Sequence, residues 1–311
     1  MKLDGFERDI LAEPEALRRV ADTYGAEGLE RFIVGRRVLM TGMGSSKYAA
    51  DTAVVRLRAD RVDAYAELSS TGLPQPPAVD TTVLAISASG TSDETLAAAD
   101  RHSGTSHVVG LTNAPGSPLA EAADDAIDVL AGVEEGGIAC RSFLCTQAVL
   151  ALMCDQPADL LRRAADACQD LIERRDEWVG PLADLAEGGI GVWVAGPSER
   201  FGSVQQSALM LREAPRIVSD ACETGDWLHV DVYLTKRPGY RLLLLTGSQY
   251  DDEVIGWRRE RGFDVLVVGR DVEGATTAVR YAGDDDPAVA ALAETTVAEL
   301  LAVELWRRHP I

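Results

Sequence analysis

Three features of the sequence predict two doubly wound parallel α/β lobes in tandem, each of the flavodoxin-like kind. Apolar β-type runs end in small residues and are followed by segments of helical period. That alternation requires a parallel sheet with helices on both faces. It runs through twice, and the Gly-rich link Leu185-Ala186-Glu187-Gly188-Gly189 separates the two rounds. The rounds also superpose. Sliding Val38–Arg58 onto Val192–Arg212 aligns Val38 with Val192, Gly42 with Gly196 and Leu57-Arg58 with Leu211-Arg212. Each copy reads strand, glycine turn, helix, the pattern of a weak internal repeat.

In the first round the strands fall near Val38–Thr41, Val83–Ser87, His107–Leu111 and Ala126–Leu130. Helices cover Ser46–Arg58, Ser92–Arg101, Pro118–Ala123 and Phe143–Met153, and a long helical stretch then runs from Pro157 to about Trp178. The second round has strands near Val192–Ala195, Leu242–Leu245 and Val265–Val268, a helix Gln205–Arg212, and a closing helix from about Thr295 to Arg307. The expected organisation is an N-terminal helix plus first lobe over 1–155, a connecting helix over 156–186 and a second lobe over 187–311.

At 311 residues, 46% of them hydrophobic, the chain can bury a core in each lobe. No apolar run approaches the ~18 residues of a membrane helix. The opening Met1-Lys2-Leu3-Asp4-Gly5 carries no apolar signal stretch. Five cysteines (Cys140, Cys145, Cys154, Cys168, Cys222) without metal-like spacing, and only four histidines, predict free thiols and no metal site. A cytoplasmic protein is the expectation. The formal net charge of −20 opposes nucleic acid and acidic membranes as partners. It does not exclude a phosphorylated ligand, because backbone N–H groups and hydroxyls at a helix N-terminus hold phosphate without a basic patch.

Two glycine turns bear on that ligand. Val38-Leu39-Met40-Thr41-Gly42-Met43-Gly44-Ser45-Ser46 is a buried strand entering a turn. A dinucleotide fingerprint needs a third glycine where Lys47 stands, and a P-loop needs Gly where Ser46 precedes Lys47. Both nucleotide readings fail. The second turn, Ser87-Ala88-Ser89-Gly90-Thr91-Ser92, follows the apolar strand Val83-Leu84-Ala85-Ile86 and precedes a helix. Its hydroxyls and the free N–H groups of the helix start suit a phosphate dianion. Ser92 equally suits a simple helix cap.

The Gly-x-Gly-Ser-Ser turn and the Ser-x-Ser-Gly-x-Ser loop together resemble the ligand loops of the sugar isomerase (SIS) domain. This is the fold of the isomerase half of glucosamine-6-phosphate synthase and of the bifunctional phosphoglucose/phosphomannose isomerases. The opening Asp9-Ile10-Leu11-Ala12-Glu13-Pro14 also resembles these proteins, and the resemblance covers nearly the whole chain. It implies that Ser45, Ser46, Ser87, Ser89 and Ser92 bind phosphate, with Gly44 and Glu134 (or its neighbour Glu135) at the sugar. Arg141 falls at a basic position that would stabilise an enediolate. Its alternative is a helix-start residue pairing with Glu134 or Glu135. Glu213 and His229, sixteen positions apart, resemble the family's catalytic Glu and ring-opening His. Their alternatives are a solvated helix end and a hydrogen-bonded turn histidine.

Aldose–ketose isomerisation needs a base that carries a proton between C1 and C2 and an acid–base group that opens the hemiacetal ring. A carboxylate shielded from water serves the first role and an imidazole the second. The resemblance therefore implies an isomerase of a hexose phosphate or amino-hexose phosphate that uses no cofactor. A deaminase/isomerase of amino-sugar phosphates and a non-catalytic phosphosugar-binding regulator are the alternatives. It also implies a homodimer in which His229 is donated by the neighbouring subunit. Three departures oppose glutamine-dependent amination. There is no N-terminal glutaminase domain, Met210 stands where the family has a lysine, and the chain stops at Trp306-Arg307-Arg308-His309-Pro310-Ile311 without the synthase's lysine-bearing tail.

Overall fold

A computed structural model describes residues 1–25, 28–33 and 36–310. The chain opens with α1 (Leu3–Leu11) and α2 (Glu13–Tyr24), followed by a 3-10 turn at Leu29–Phe32. Next come β1 (Arg37–Gly42), α3 (Ser45–Ala59), β2 (Ala64–Leu68), β3 (Thr81–Ile86), α4 (Asp93–His102), β4 (His107–Thr112), α5 (Pro118–Ala122), β5 (Asp125–Asp128) and α6 (Arg141–Met153). Two helices follow, α7 (Ala158–Glu173) and α8 (Arg175–Ala186). The remainder is β6 (Gly191–Gly196), α9 (Phe201–Glu213), β7 (Ala221–Glu223), α10 (Thr224–Trp227), β8 (Tyr240–Leu245), α11 (Asp251–Arg261), β9 (Asp264–Val268), β10 (Thr277–Val279), α12 (Pro287–Ala293) and α13 (Thr295–Arg308).

These elements form two five-stranded sheets, ordered β2-β1-β3-β4-β5 and β10-β9-β8-β6-β7, and every pairing in both is parallel. The central strands carry apolar residues on both faces because helices cover both. All six residues of β3 and all six of β6 are buried. In each sheet the chain leaves the first strand, adds its second on one side, and places the third on the other. The switch point therefore lies between β1 and β3 in one sheet and between β6 and β8 in the other.

Contacts divide the chain into two compact units. One comprises Glu15–Glu134 and Ala139–Arg162, and the other Met1–Pro14, Glu135–Ile138 and Arg163–Ile311. The sequence places the N-terminal helix with the first lobe, whereas α1 belongs to the unit of the second sheet. There Phe6 and Ile10 are fully buried and the helix packs on α13. The single connecting helix expected over 156–186 is two helices, divided at Arg174, where the backbone opens to φ −95°, ψ 8°. β2, β7 and β10 carry no strand signal in the sequence. They are edge strands of five, three and three residues, and none carries a continuous apolar run. Among the described residues no helix is long and apolar enough to cross a membrane.

Candidate active site

The first sheet places the two glycine turns side by side. Gly42, the last residue of β1, lies opposite Ile86, the last of β3, so both turns leave adjacent strands at the same level. This is the carboxyl end of the sheet at its switch point, where open α/β sheets bind ligands. Gly44 has φ +51° and nothing within 4 Å of where a Cβ would stand, so the turn is open on that side. α3 then begins at Ser45. The Ser45 and Ser46 hydroxyls bond to no described residue, which leaves both available to a ligand.

The second turn splits its hydroxyls between scaffold and surface. Ser87 is buried, and its Oγ accepts from the Gly90 N–H at 3.2 Å. Ser92 is the N-cap of α4. Its Oγ accepts from the Thr95 N–H at 3.5 Å and the Thr95 hydroxyl at 3.2 Å, and its own hydroxyl donates to Glu94 at 3.0 Å. Ser89 and Thr91 are exposed, and the Thr91 hydroxyl donates to Ser89 Oγ at 2.9 Å. Beneath the turns runs a buried relay. Thr41 and Ser69 lie 2.8 Å apart and Ser69 and Thr95 3.3 Å, which joins the ends of β1 and β2 to the first turn of α4. Sequence reasoning missed this relay. Its signal is Thr41, a hydroxyl at the end of an otherwise apolar strand.

Glu134 has a structural task. One carboxylate oxygen accepts from the Cys140 and Ser142 N–H groups, both at 2.9 Å, and the other from the Ser142 hydroxyl at 2.7 Å. It thus caps α6, whose N-terminal donors lack partners within the helix. Arg141 opens α6 and donates to the Val133 carbonyl at 2.5 Å. Glu135 pairs with Arg8 at 2.6 Å.

Glu213 ends α9, whose buried face (Ser207, Ala208, Met210, Leu211) is fixed in the core. Pro215 follows two residues later and stops the helix. The Glu213 carboxyl is half-buried and makes no hydrogen bond or ion pair with any described residue. Burial pushes it above the ordinary carboxylate range, against a smaller pull downward from Arg212. The C-terminal end of a helix acts in the same upward direction. Met210, one turn back, is fully buried, and its sulfur accepts from Gln206 at 3.6 Å.

His229 is set by its neighbour Trp227. That indole is fully buried and donates to the Tyr240 hydroxyl at 2.8 Å, and Tyr240 stacks on Trp193 with ring centres 4.7 Å apart. Two residues beyond this anchor His229 is exposed, and its N–H donates to the Asp226 carbonyl at 2.8 Å. It lines a cleft of about 420 Å³ with Glu223, Tyr250, Glu253 and Trp257 among its walls. Glu213 is not among those lining residues. The cleft's aromatics were not legible as a pair, although their spacing of seven matches two helical turns.

The fold is the sugar isomerase (SIS) domain fold. It is similar to the C-terminal domain of glucosamine-fructose-6-phosphate aminotransferase from Francisella tularensis (TM-score 0.84, 16% identity, 98% of this chain and 97% of that one). Tagatose-6-phosphate ketose/aldose isomerase from Escherichia coli gives a TM-score of 0.86 at 16% identity over 98% and 93% of the two chains. Glucosamine-6-phosphate deaminase from Thermotoga maritima gives 0.75 at 19% identity over 99% and 95%. In sequence the chain is 27% identical, over 281 residues, to a glutamine–fructose-6-phosphate aminotransferase from Aeropyrum pernix, a match covering 83% of this chain. The match spans 44% of that relative's length. No family model matches the chain.

Proposed function

We propose that the protein binds a hexose phosphate or amino-hexose phosphate and interconverts its aldose and ketose forms through an enediolate. The observation that carries the reading is the pair of turns at the β1/β3 switch point, one open at Gly44 and the other presenting hydroxyls above α4. Ser45, Ser46 and Ser89 face the phosphate, while Ser87 and Ser92 hold the second turn in shape. Glu213 is the general base. Its raised pKa, caused by burial, brings it nearer to neutrality, where a base that both takes and returns a proton works best. His229 opens the sugar ring, and Arg141 supplies a fixed positive charge for the enediolate.

His229 is exposed and Glu213 lies outside its cleft, which supports a homodimer whose second copy completes the site. The similarity to an aminotransferase and a deaminase extends the candidate substrates to amino sugars. One observation favours a phosphosugar binder without turnover: the residue one turn before Glu213 is the buried Met210, which cannot relay a proton.

A thermal-shift panel of fructose, glucose, mannose and glucosamine 6-phosphates tests the binding half, followed by turnover on whichever ligand stabilises. Replacing Glu213 by Gln should lower turnover by roughly 10²–10⁴-fold. Retention of more than about a tenth of wild-type turnover would remove Glu213 as the base. Stabilisation without any turnover would leave the binder.

A further inference from the structure

Lys47 stands where stability disfavours it. It is the third residue of α3, in the first turn, where the exposed N–H groups repel a cation and favour an anion. Its ammonium lies 2.6 Å from Asp51 at i+4, in the Lys-to-Asp order that is the weaker orientation on a helix. Both side chains are largely withdrawn from solvent, at 16% and 27% exposure. Nothing in the helix requires a cation here.

Composition sharpens the point. The chain has 27 arginines and three lysines, Lys2, Lys47 and Lys236. Lys47 is also the one basic residue in Gly42–Asp51 and Ser87–Thr95, which together supply three carboxylates, Asp51, Asp93 and Glu94. The two segments thus offer a phosphate dianion a single ammonium against three carboxylates, in a chain of net charge −20. A lysine is a compact point charge on a flexible stem and can change partners. An arginine fork paired with Asp51 would be harder to release.

We propose that Lys47 is the mobile cation of the phosphate site, held by Asp51 when the site is empty and transferred to the ligand phosphate on binding. This rests on the phosphosugar reading above. The ion pair then has a second function: it keeps an unligated ammonium from destabilising the start of α3, and its rupture makes affinity depend on the competition between Asp51 and phosphate.

Titration calorimetry with fructose 6-phosphate and, separately, inorganic phosphate tests this on the intact wild-type protein and on Lys47→Met and Asp51→Asn variants. Loss of a charge-assisted bond predicts roughly tenfold or greater weakening for Lys47→Met. It also predicts a shallower dependence of affinity on salt. Asp51→Asn should bind more tightly than wild type, the opposite of what a merely structural pair would give, and it stands as the readout if Lys47→Met does not fold. Wild-type binding with unchanged affinity in Lys47→Met, or weakened affinity in Asp51→Asn, overturns the role of Lys47 alone. Absence of wild-type binding to either probe overturns the phosphate site and the proposal with it.

Discussion

The two sheets share one strand order, yet their switch points are built in opposite ways. Between β1 and β3 the turns carry glycines and hydroxyls, with Gly44, Ser89 and Thr91 exposed. Between β6 and β8 the protein fills the crevice itself. Arg200, from the turn after β6, is buried against Glu294 at 3.1 Å and donates to the Thr246 carbonyl at the end of β8 at 2.5 Å. Burial alone would lower the Arg200 guanidinium, but the Glu294 carboxylate beside it more than offsets this and holds it up. A parallel sheet exposes backbone groups at its switch point wherever it occurs. One unit leaves its turns open at Gly44, and the other fills its crevice with an internal ion pair. Topology therefore supplies a binding site only where the side chains leave it open.

The sharpest way to break that contrast is to empty the filled crevice. Replacing Arg200 by Ala leaves the Glu294 carboxylate buried without its counter-charge, which should cost about 3–5 kcal/mol in chemical unfolding. The double replacement Arg200→Met with Glu294→Leu should recover most of that loss. A single variant within about 1 kcal/mol of wild type would show that the pair does not hold the second switch point.

The open crevice depends instead on backbone shape. Gly90 has φ +64°, and a Cβ there would stand 1.9 Å from Ser117 Oγ. Strain in the left-handed region and the clash together should cost Gly90→Ala roughly 2 kcal/mol or more. Gly44→Ala, at φ +51° and ψ −127° with open space around it, should lose only the backbone strain of roughly 1–3 kcal/mol, without a clash. Unfolding curves for the two variants decide this. Equal losses would mean that the second turn is not braced by Ser117 as the geometry requires.

Sequence carried the central strands and the two turns because both are local: an apolar run, a glycine and a hydroxyl cluster stand within ten residues of one another. It carried Glu213 and His229 as a spacing, but spacing does not report that the cleft of His229 excludes Glu213. The capping of α6 by Glu134 was not legible, because its partners Cys140 and Ser142 lie across a glycine-rich turn whose path no period reveals. The relay from Thr41 through Ser69 to Thr95 joins three separate elements, and the pairing of Arg200 with Glu294 spans 94 positions. β2, β7 and β10 are strands by virtue of the neighbour they pair with, since none carries the continuous apolar run that marks β8 and β9.

The smallest expected effect is also the one that separates the units by sign. In the first, burial lowers the His102 imidazole below its ordinary value, with Arg101 adding to the shift. The folded state there favours the neutral ring. Its contribution to stability is complete above the unfolded pKa of about 6.5 and is lost as the pH falls from there toward the folded value. In the second, burial raises the Asp251 carboxyl, partly offset by the Gly247 N–H, Arg270 and Arg200. That contribution is complete below the unfolded pKa of about 3.9 and is lost as the pH rises through the raised folded value. Acidification from pH 7 to 5 should therefore loosen α4 while leaving α11 unchanged or tighter. Hydrogen exchange of the two helices, corrected for the intrinsic rate at each pH, measures this directly. His102→Gln should abolish the response of α4. Greater loss of protection in α11 than in α4 would mean that groups other than His102 and Asp251 govern how each unit meets acid.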